Sequence, residues 1–188
     1  MSSYHKVETE KSGGEKSPLF FVHRRNMRFC HIKEDYITFL RNYDTKVAEN
    51  KNESRPYVGV VLQIGTICYY APFTSPKAKH QKMKNGKDFR KIGQGKYGAI
   101  NFNNMIPVPN SAILFMEIEN ETNPQYKRLL QNQYNAVKAD WNNIQRTAEK
   151  LRELVVTDDS KLSSYDRSVK SRCCNLALLE SVYRNYER

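Results

Sequence analysis

The chain has 188 residues, enough for one compact domain with a full core. Lys plus Arg number 31 against 20 Asp plus Glu, a net charge of +11 that points to a polyanionic partner. No apolar run is long enough to span a bilayer. "PLFFVH" is too short for a secretory leader, so a cytoplasmic protein without a membrane partner is expected.

Residues 1–26 are polar, carry Gly13-Gly14 and show no sustained periodicity, so they read as a flexible extension before a single domain over 27–188. "MRFCHI" predicts a short strand, and "EDYITFLRNYDTKV" a helix with Tyr36, Leu40 and Tyr43 at helical spacing. After a loop over 48–56, "YVGVVLQI" and "ICYYAPF" predict a hairpin turning at Gly65-Thr66. Its second strand ends on Thr74, Ser75 and Lys77. Two more strands are expected at 99–108 and 111–118, turning through Pro107, Pro109 and Asn110.

The period then changes. Leu130, Tyr134, Val137, Trp141, Ile144, Ala148, Leu151 and Val155 recur every three or four residues, which predicts one long helix starting near Pro124. "SSYDRSVKSR" interrupts the pattern, and "NLALLESVYRNY" predicts a final amphipathic helix. Strands first and helices later define an α+β fold around an antiparallel sheet.

The charge is concentrated. From Lys77 to Lys96 there are eight basic residues against one acid, Asp88. The spacing gives no apolar helical face, which disfavours a membrane-surface helix. "GQGKYG" (93–98) matches a dinucleotide fingerprint in its letters, but a charged loop precedes it and β-rich "AINF" follows, so it reads as a loop with a turn at Gly98. Asp88 is also the single acid between Arg55 and Met105, which leaves no carboxylate cluster for a two-metal nuclease. His5, His23, His31 and His80 lack zinc spacing, and the four cysteines (Cys30, Cys68, Cys173, Cys174) form no C-x-x-C pair. No metal or other cofactor is expected. His80 alone lies in the basic segment, where a solvated or base-stacking role is expected.

Thr74-Ser75-Pro76-Lys77 admits two readings. One is a turn behind a strand with Lys77 in solvent. The other is phosphate chemistry on RNA, whose 2′-hydroxyl can attack its own phosphate without a metal. Cations would then neutralise the phosphorane, and hydroxyls would bind its oxygens.

"YAPFTSPKAKH", preceded by "YVGVVLQI" and followed by "GAINFNNMIPV", resembles the ToxN/AbiQ family of type III toxin–antitoxin endoribonucleases. "MRFCHIKEDYITFL", "NPQYKRLL" and "CNLALLESVYRNY" extend the likeness from Met27 to the C-terminus. The resemblance implies a strongly twisted antiparallel sheet flanked by helices, similar to MazF/Kid-like toxins. It implies a metal-independent, sequence-specific endoribonuclease that leaves 2′,3′-cyclic phosphate and 5′-hydroxyl ends on cellular or phage mRNA.

The implied inhibitor is a small repeated antitoxin RNA in an alternating toxin–RNA ring such as a heterohexamer, and the implied role is phage abortive infection or plasmid maintenance. By position it implies catalytic roles for Tyr36, Arg55, Thr74, Ser75 and Lys77. Arg55 stands where lysine is frequent in the family, and arginine would clamp phosphate without giving up a proton. Lys79, His80, Lys82, Lys84, Lys87, Arg90 and Lys91 would track the RNA backbone. A non-catalytic RNA-binding module is the alternative, and a metal-dependent nuclease ranks third.

Overall fold

The structure, a computed structural model, describes residues 27–187; the expectation for residues 1–26 lies outside them. The fold is α+β. Strands β1 (Arg28–Ile32), β2 (Tyr57–Ile64), β3 (Ile67–Thr74), β4 (Phe89–Lys91), β5 (Ala99–Asn101), β6 (Ile106–Pro107) and β7 (Ile113–Phe115) form one seven-stranded sheet. Its order is β4-β5-β3-β2-β1-β7, with β6 also on β3, and every pairing is antiparallel.

The β2–β3 hairpin closes on Ile64 and Ile67 around Gly65, whose φ of +56° suits a residue without Cβ. The register slips between Gly59 and Leu62. At Gly59 a Cβ would lie 1.9 Å from the ring of Tyr70, so the ring occupies the space that glycine leaves open. Expected strands shorten where the chain must turn: 99–108 becomes β5 and β6 around a helical turn at Phe102–Asn104, and 111–118 becomes β7. Helix α1 (Glu34–Arg41) ends before Tyr43, which is exposed.

The long helix predicted from Pro124 is two helices, α3 (Pro124–Ala139) and α4 (Trp141–Val156). Asn123 caps the first by accepting from the Gln125 and Tyr126 amides at 3.0 Å, with Pro124 at the first helical position. The break is at Asp140, at φ −105° and ψ 11°, whose carboxylate accepts from Arg90 and Asn143. The apolar stripe runs through it: Leu130, Val137, Ile144, Ala148, Leu151 and Val155 are all buried. A Leu151→Ala change would cost about 2–5 kcal/mol. "SSYDRSVKS" also differs from expectation. It forms α5 (Ser164–Ser171), capped by Ser163, whose Oγ accepts from the Asp166 amide at 3.1 Å.

One carboxylate ties two helices to the sheet. Tyr69 of β3 donates to Glu180 of α6 (Leu176–Val182) at 2.6 Å, and Arg152 of α4 binds the same carboxylate at 3.0 and 2.9 Å. Burial, then the bond to Glu180, pushes the Tyr69 phenol well above its usual range. The core lies between sheet and helices, where Phe29 packs edge-on against Phe73 at 4.6 Å and Tyr134 of α3 at 5.8 Å.

Candidate active site

Where β3 ends, the chain leaves the sheet at an open cavity of about 520 Å³. Thr74 and Ser75 form one rim. His31 and Phe73 border it from the sheet, Asn52, Glu53, Ser54 and Pro56 from the loop before β2, and Tyr126, Leu129 and Gln133 from α3.

Thr74 is fixed by its pairing with Ala99 of β5. Ser75 and Lys77 are exposed, and among the described residues the Lys77 ammonium has no hydrogen-bond or ion-pair partner. Lys77 is extended (φ −139°, ψ 144°), and its carbonyl accepts the His80 amide at 2.9 Å, opening the short helix α2 (Ala78–Lys82). Pro76, which has no amide hydrogen, sits at the turn.

"GQGKYG" is a seat for this segment. At Gly98, φ +93°, a Cβ would come within 2.1 Å of the Thr74 carbonyl oxygen; at Gly95, φ +91°, within 2.7 Å of the His80 carbonyl group. Both glycines therefore combine a left-handed backbone with close approach to another chain segment. Gln133, buried on α3, donates to the Tyr97 carbonyl at 2.8 Å and so locks the seat to the helix that walls the cavity.

The facing loop is strained. Lys51, Asn52 and Glu53 have φ of 56°, 53° and 61°, left-handed values that Lys and Glu seldom adopt. Two anchors hold the loop. Asn50, wholly buried, donates to the Ile32 carbonyl at 2.5 Å. Glu53 and Glu34 exchange backbone-to-carboxylate hydrogen bonds at 3.0 and 3.2 Å. Such strain is common at binding and catalytic sites.

Of the five residues with implied catalytic roles, Thr74 and Ser75 border the cavity, and Lys77 follows them two residues on. Arg55 lies between two cavity residues; its Nε donates to the Glu49 carbonyl at 2.7 Å, and its terminal nitrogens make no hydrogen bond among the described residues. Tyr36 stands apart from these four. Its ring is fully buried, its hydroxyl donates to the Pro107 carbonyl at 2.6 Å, and it packs against Tyr186. It belongs to the core and does not border the cavity.

The basic segment divides. Lys79, Lys82 and Lys84 are exposed, with no hydrogen-bond or ion-pair partner among the described residues. Lys91 reaches the Gln81 carbonyl at 3.5 Å. Arg90, in contrast, grips Asp140 at the α3–α4 break, and Lys87 pairs with Asp166 on α5. Burial would raise the Asp140 carboxyl, but the bonds from Arg90 and Asn143 hold it below the usual carboxylate range. His80 also departs from expectation. It is 2% exposed beside the Phe89 ring, so no base can stack on it. Burial first, then the charges of Lys79 and Lys77, lower its pKa and favour the neutral imidazole.

Sequence reasoning missed His31, Glu53, Tyr126 and Gln133. Tyr126, Leu129 and Gln133 stand three and four apart, a spacing that places them on one face of α3. No comparable signal marks His31 or Glu53. Among the described residues, no group of three or more His, Cys, Asp or Glu side chains could hold a metal ion. No helix of the described residues is long and apolar enough to cross a membrane.

An antiparallel sheet in an α+β fold thus brings two hydroxyls to the rim of an open cavity, with an exposed lysine two residues beyond them. The family model described as "Toxin ToxN, type III toxin-antitoxin system" matches residues 28–184, and the chain belongs to that family. It is 32% identical over 170 residues to the Endoribonuclease ToxN of Bacillus thuringiensis subsp. kurstaki, covering 88% of this chain and 87% of the relative. One solved structure, from a type III system whose toxin is selectively inhibited by a non-coding RNA pseudoknot, superposes with a TM-score of 0.76 at 32% identity, over 87% of this chain and 99% of the other. A second, from a bacterial antiviral system regulated by a processed non-coding RNA, gives 0.71 at 28% identity, over 86% and 99%.

Proposed function

We propose that this chain is an endoribonuclease that cuts RNA in the cavity beside Thr74 and Ser75 by activating the RNA's own 2′-hydroxyl. The observation that carries the reading is the rim itself, where two hydroxyls stand two and three residues before a lysine with no partner among the described residues.

The residues supply the stabilisation of charge, and water supplies and takes up the protons. The 2′-oxygen gives its proton to a water molecule and bonds to phosphorus, the P–O5′ bond breaks, and the departing 5′-oxygen takes a proton from water. Negative charge grows on the phosphorane oxygens. Thr74 and Ser75 donate hydrogen bonds to those oxygens, and the Lys77 ammonium stabilises the charge as it builds up. Arg55 offers its two uncommitted terminal nitrogens to an adjacent phosphate. The products are a 2′,3′-cyclic phosphate and a 5′-hydroxyl.

Lys79, Lys82, Lys84 and Lys91 extend the positive surface along the chain from the rim and suit a longer RNA backbone. An inhibitory antitoxin made of repeated small RNA is the partner that this surface and the RNA-regulated relatives support. An alternating toxin–RNA ring, action on cellular or phage mRNA, and a cytoplasmic role in abortive infection or plasmid maintenance complete the reading.

The test is incubation of purified protein with total bacterial RNA in excess EDTA, followed by analysis of the new ends. Cleavage with cyclic-phosphate and 5′-hydroxyl ends is expected, with DNA untouched. Activity that disappears in EDTA and returns with magnesium, or ends bearing 5′-phosphate, would overturn the mechanism.

A further inference from the structure

His31 occupies an unusual position for a strand histidine. Side chains alternate across β1, so Phe29 and His31 share the face that meets α3, while Cys30 and Ile32 point to the other side and are buried. Phe29 fills its place with ring contacts to Phe73 and Tyr134. His31 borders the cavity of Thr74 and Ser75 and also a second cavity of about 360 Å³, lined in part by Leu114, Met116 and Leu130.

An imidazole in such a place is ordinarily held by hydrogen bonds. This one is not. Nδ1 is shut off from water with no partner, and Nε2 is not enclosed and makes no hydrogen bond among the described residues. The ionisable groups facing it from neighbouring elements are Glu53 in the loop before β2, Tyr126 on α3, and Glu117 and Glu121 in the segment leading to α3. None of them bonds to the ring, and the Glu53 carboxylate accepts from the Glu34 amide.

The enclosure chooses between the two neutral tautomers. With the proton on Nδ1, a buried N–H would lack an acceptor, a costly arrangement. The tautomer with its proton on Nε2 avoids that and leaves a donor on a ring that borders the same cavity as Thr74 and Ser75.

We infer that His31 is a further substrate-contacting residue, donating a hydrogen bond from Nε2 to a phosphate oxygen of RNA held against Thr74 and Ser75. This inference rests on the reading of that cavity as the cleavage site. His31 acts as a fixed dipole, adding a third neutral donor to the two hydroxyls, and it does not carry the proton that leaves the 2′-oxygen.

The test uses the full-length protein. A cut site is mapped in total bacterial RNA, and an end-labelled oligonucleotide spanning it is cleaved under single-turnover conditions at saturating protein, from pH 5 to 9. His31→Ala should lower the rate about a hundredfold, the lower end of the scale for one lost donor. His31→Gln, whose amide nitrogen can donate from a similar reach, should recover most of it, and wild type and both variants should share one pH–rate profile. His31→Met, close in volume but without a donor, replaces His31→Ala if the smaller residue lowers the melting midpoint.

A wild-type rate in the donor-free variants, with wild type cleaving, overturns the inference alone. So does a His31→Gln protein as slow as His31→Ala that has lost a limb of the profile between pH 5 and 8, the range where histidine changes charge. Wild type that cleaves no RNA overturns the proposed function and this inference with it.

Discussion

The basic segment reads as one run of like charge, yet its two halves do different things. In the first half, Lys77, Lys79, Lys82 and Lys84 stand in solvent without hydrogen-bond or ion-pair partners among the described residues. In the second, Lys87 and Arg90 are bound to Asp166 and Asp140, and Asp88 between them takes Arg172 at 2.5 and 3.2 Å. The first half offers charge to a polyanion; the second fastens the segment to helices α3 to α5. A net charge counts both alike, and only the partners separate them.

The largest effect that sharpens this contrast is expected at Lys77. If its charge meets the phosphorane, Lys77→Ala lowers single-turnover cleavage by about two or more powers of ten, while RNA affinity falls modestly. Lys77→Arg is informative beside it. Near-full activity indicates charge alone, and a large loss indicates proton transfer or tight geometry. A wild-type rate for Lys77→Ala would remove the first half's claim on chemistry.

Arg90→Ala should instead act on the fold. It leaves Asp140 half-buried at the helix break without its guanidinium, and the loss of stability should be about 1–3 kcal/mol, read from urea denaturation. An unchanged denaturation midpoint would show that the pair fastens nothing.

Salt dependence tells the halves apart more finely. Each of Lys82→Ala and Lys84→Ala should reduce the log–log salt slope of RNA binding by roughly 0.7–0.9, whereas Lys87→Ala should reduce it by less because Asp166 already occupies its ammonium. Equal reductions at all three positions would erase the distinction.

The smallest effect concerns His80. Its pKa is lower in the folded protein than in the unfolded chain, so the unfolded state binds more protons as the pH falls. Its contribution is therefore whole above about pH 6.5 and is lost below it, by no more than about 1.4 kcal/mol per pH unit. His80→Gln should flatten the stability profile between pH 6.5 and 5. A profile as steep as wild type would place the titration elsewhere.

How much of this was legible in the sequence follows the same logic of neighbours. Thr74, Ser75 and Lys77 fall within four residues, so their place at one strand exit could be read from a short segment, and the β2–β3 hairpin that delivers them announces itself by β-branched residues around Gly65-Thr66. His31, Glu53 and Gln133 come from three distant segments and meet only when the sheet closes against α3. No local pattern carries that meeting. The break at Asp140 was hidden because the apolar spacing passes through it undisturbed; what marks it is a bond to Arg90, fifty residues away. Tyr36 shows the opposite case: its hydroxyl is committed to Pro107, a partner that sequence distance conceals. The glycines of "GQGKYG" looked like a cofactor motif or a plain turn, and their use as a seat for Thr74 and His80 depends on two backbones approaching within contact distance.

The central claim is that RNA supplies its own nucleophile at the Thr74–Ser75 rim. The most direct measurement compares two oligonucleotides spanning the mapped cut site, one all-ribose and one with a single 2′-deoxy substitution at the nucleotide 5′ to the scissile phosphate. The all-ribose strand should be cut in EDTA, and the substituted strand should bind with little loss and remain intact at that bond. Cleavage of the substituted strand at the same bond would contradict the account.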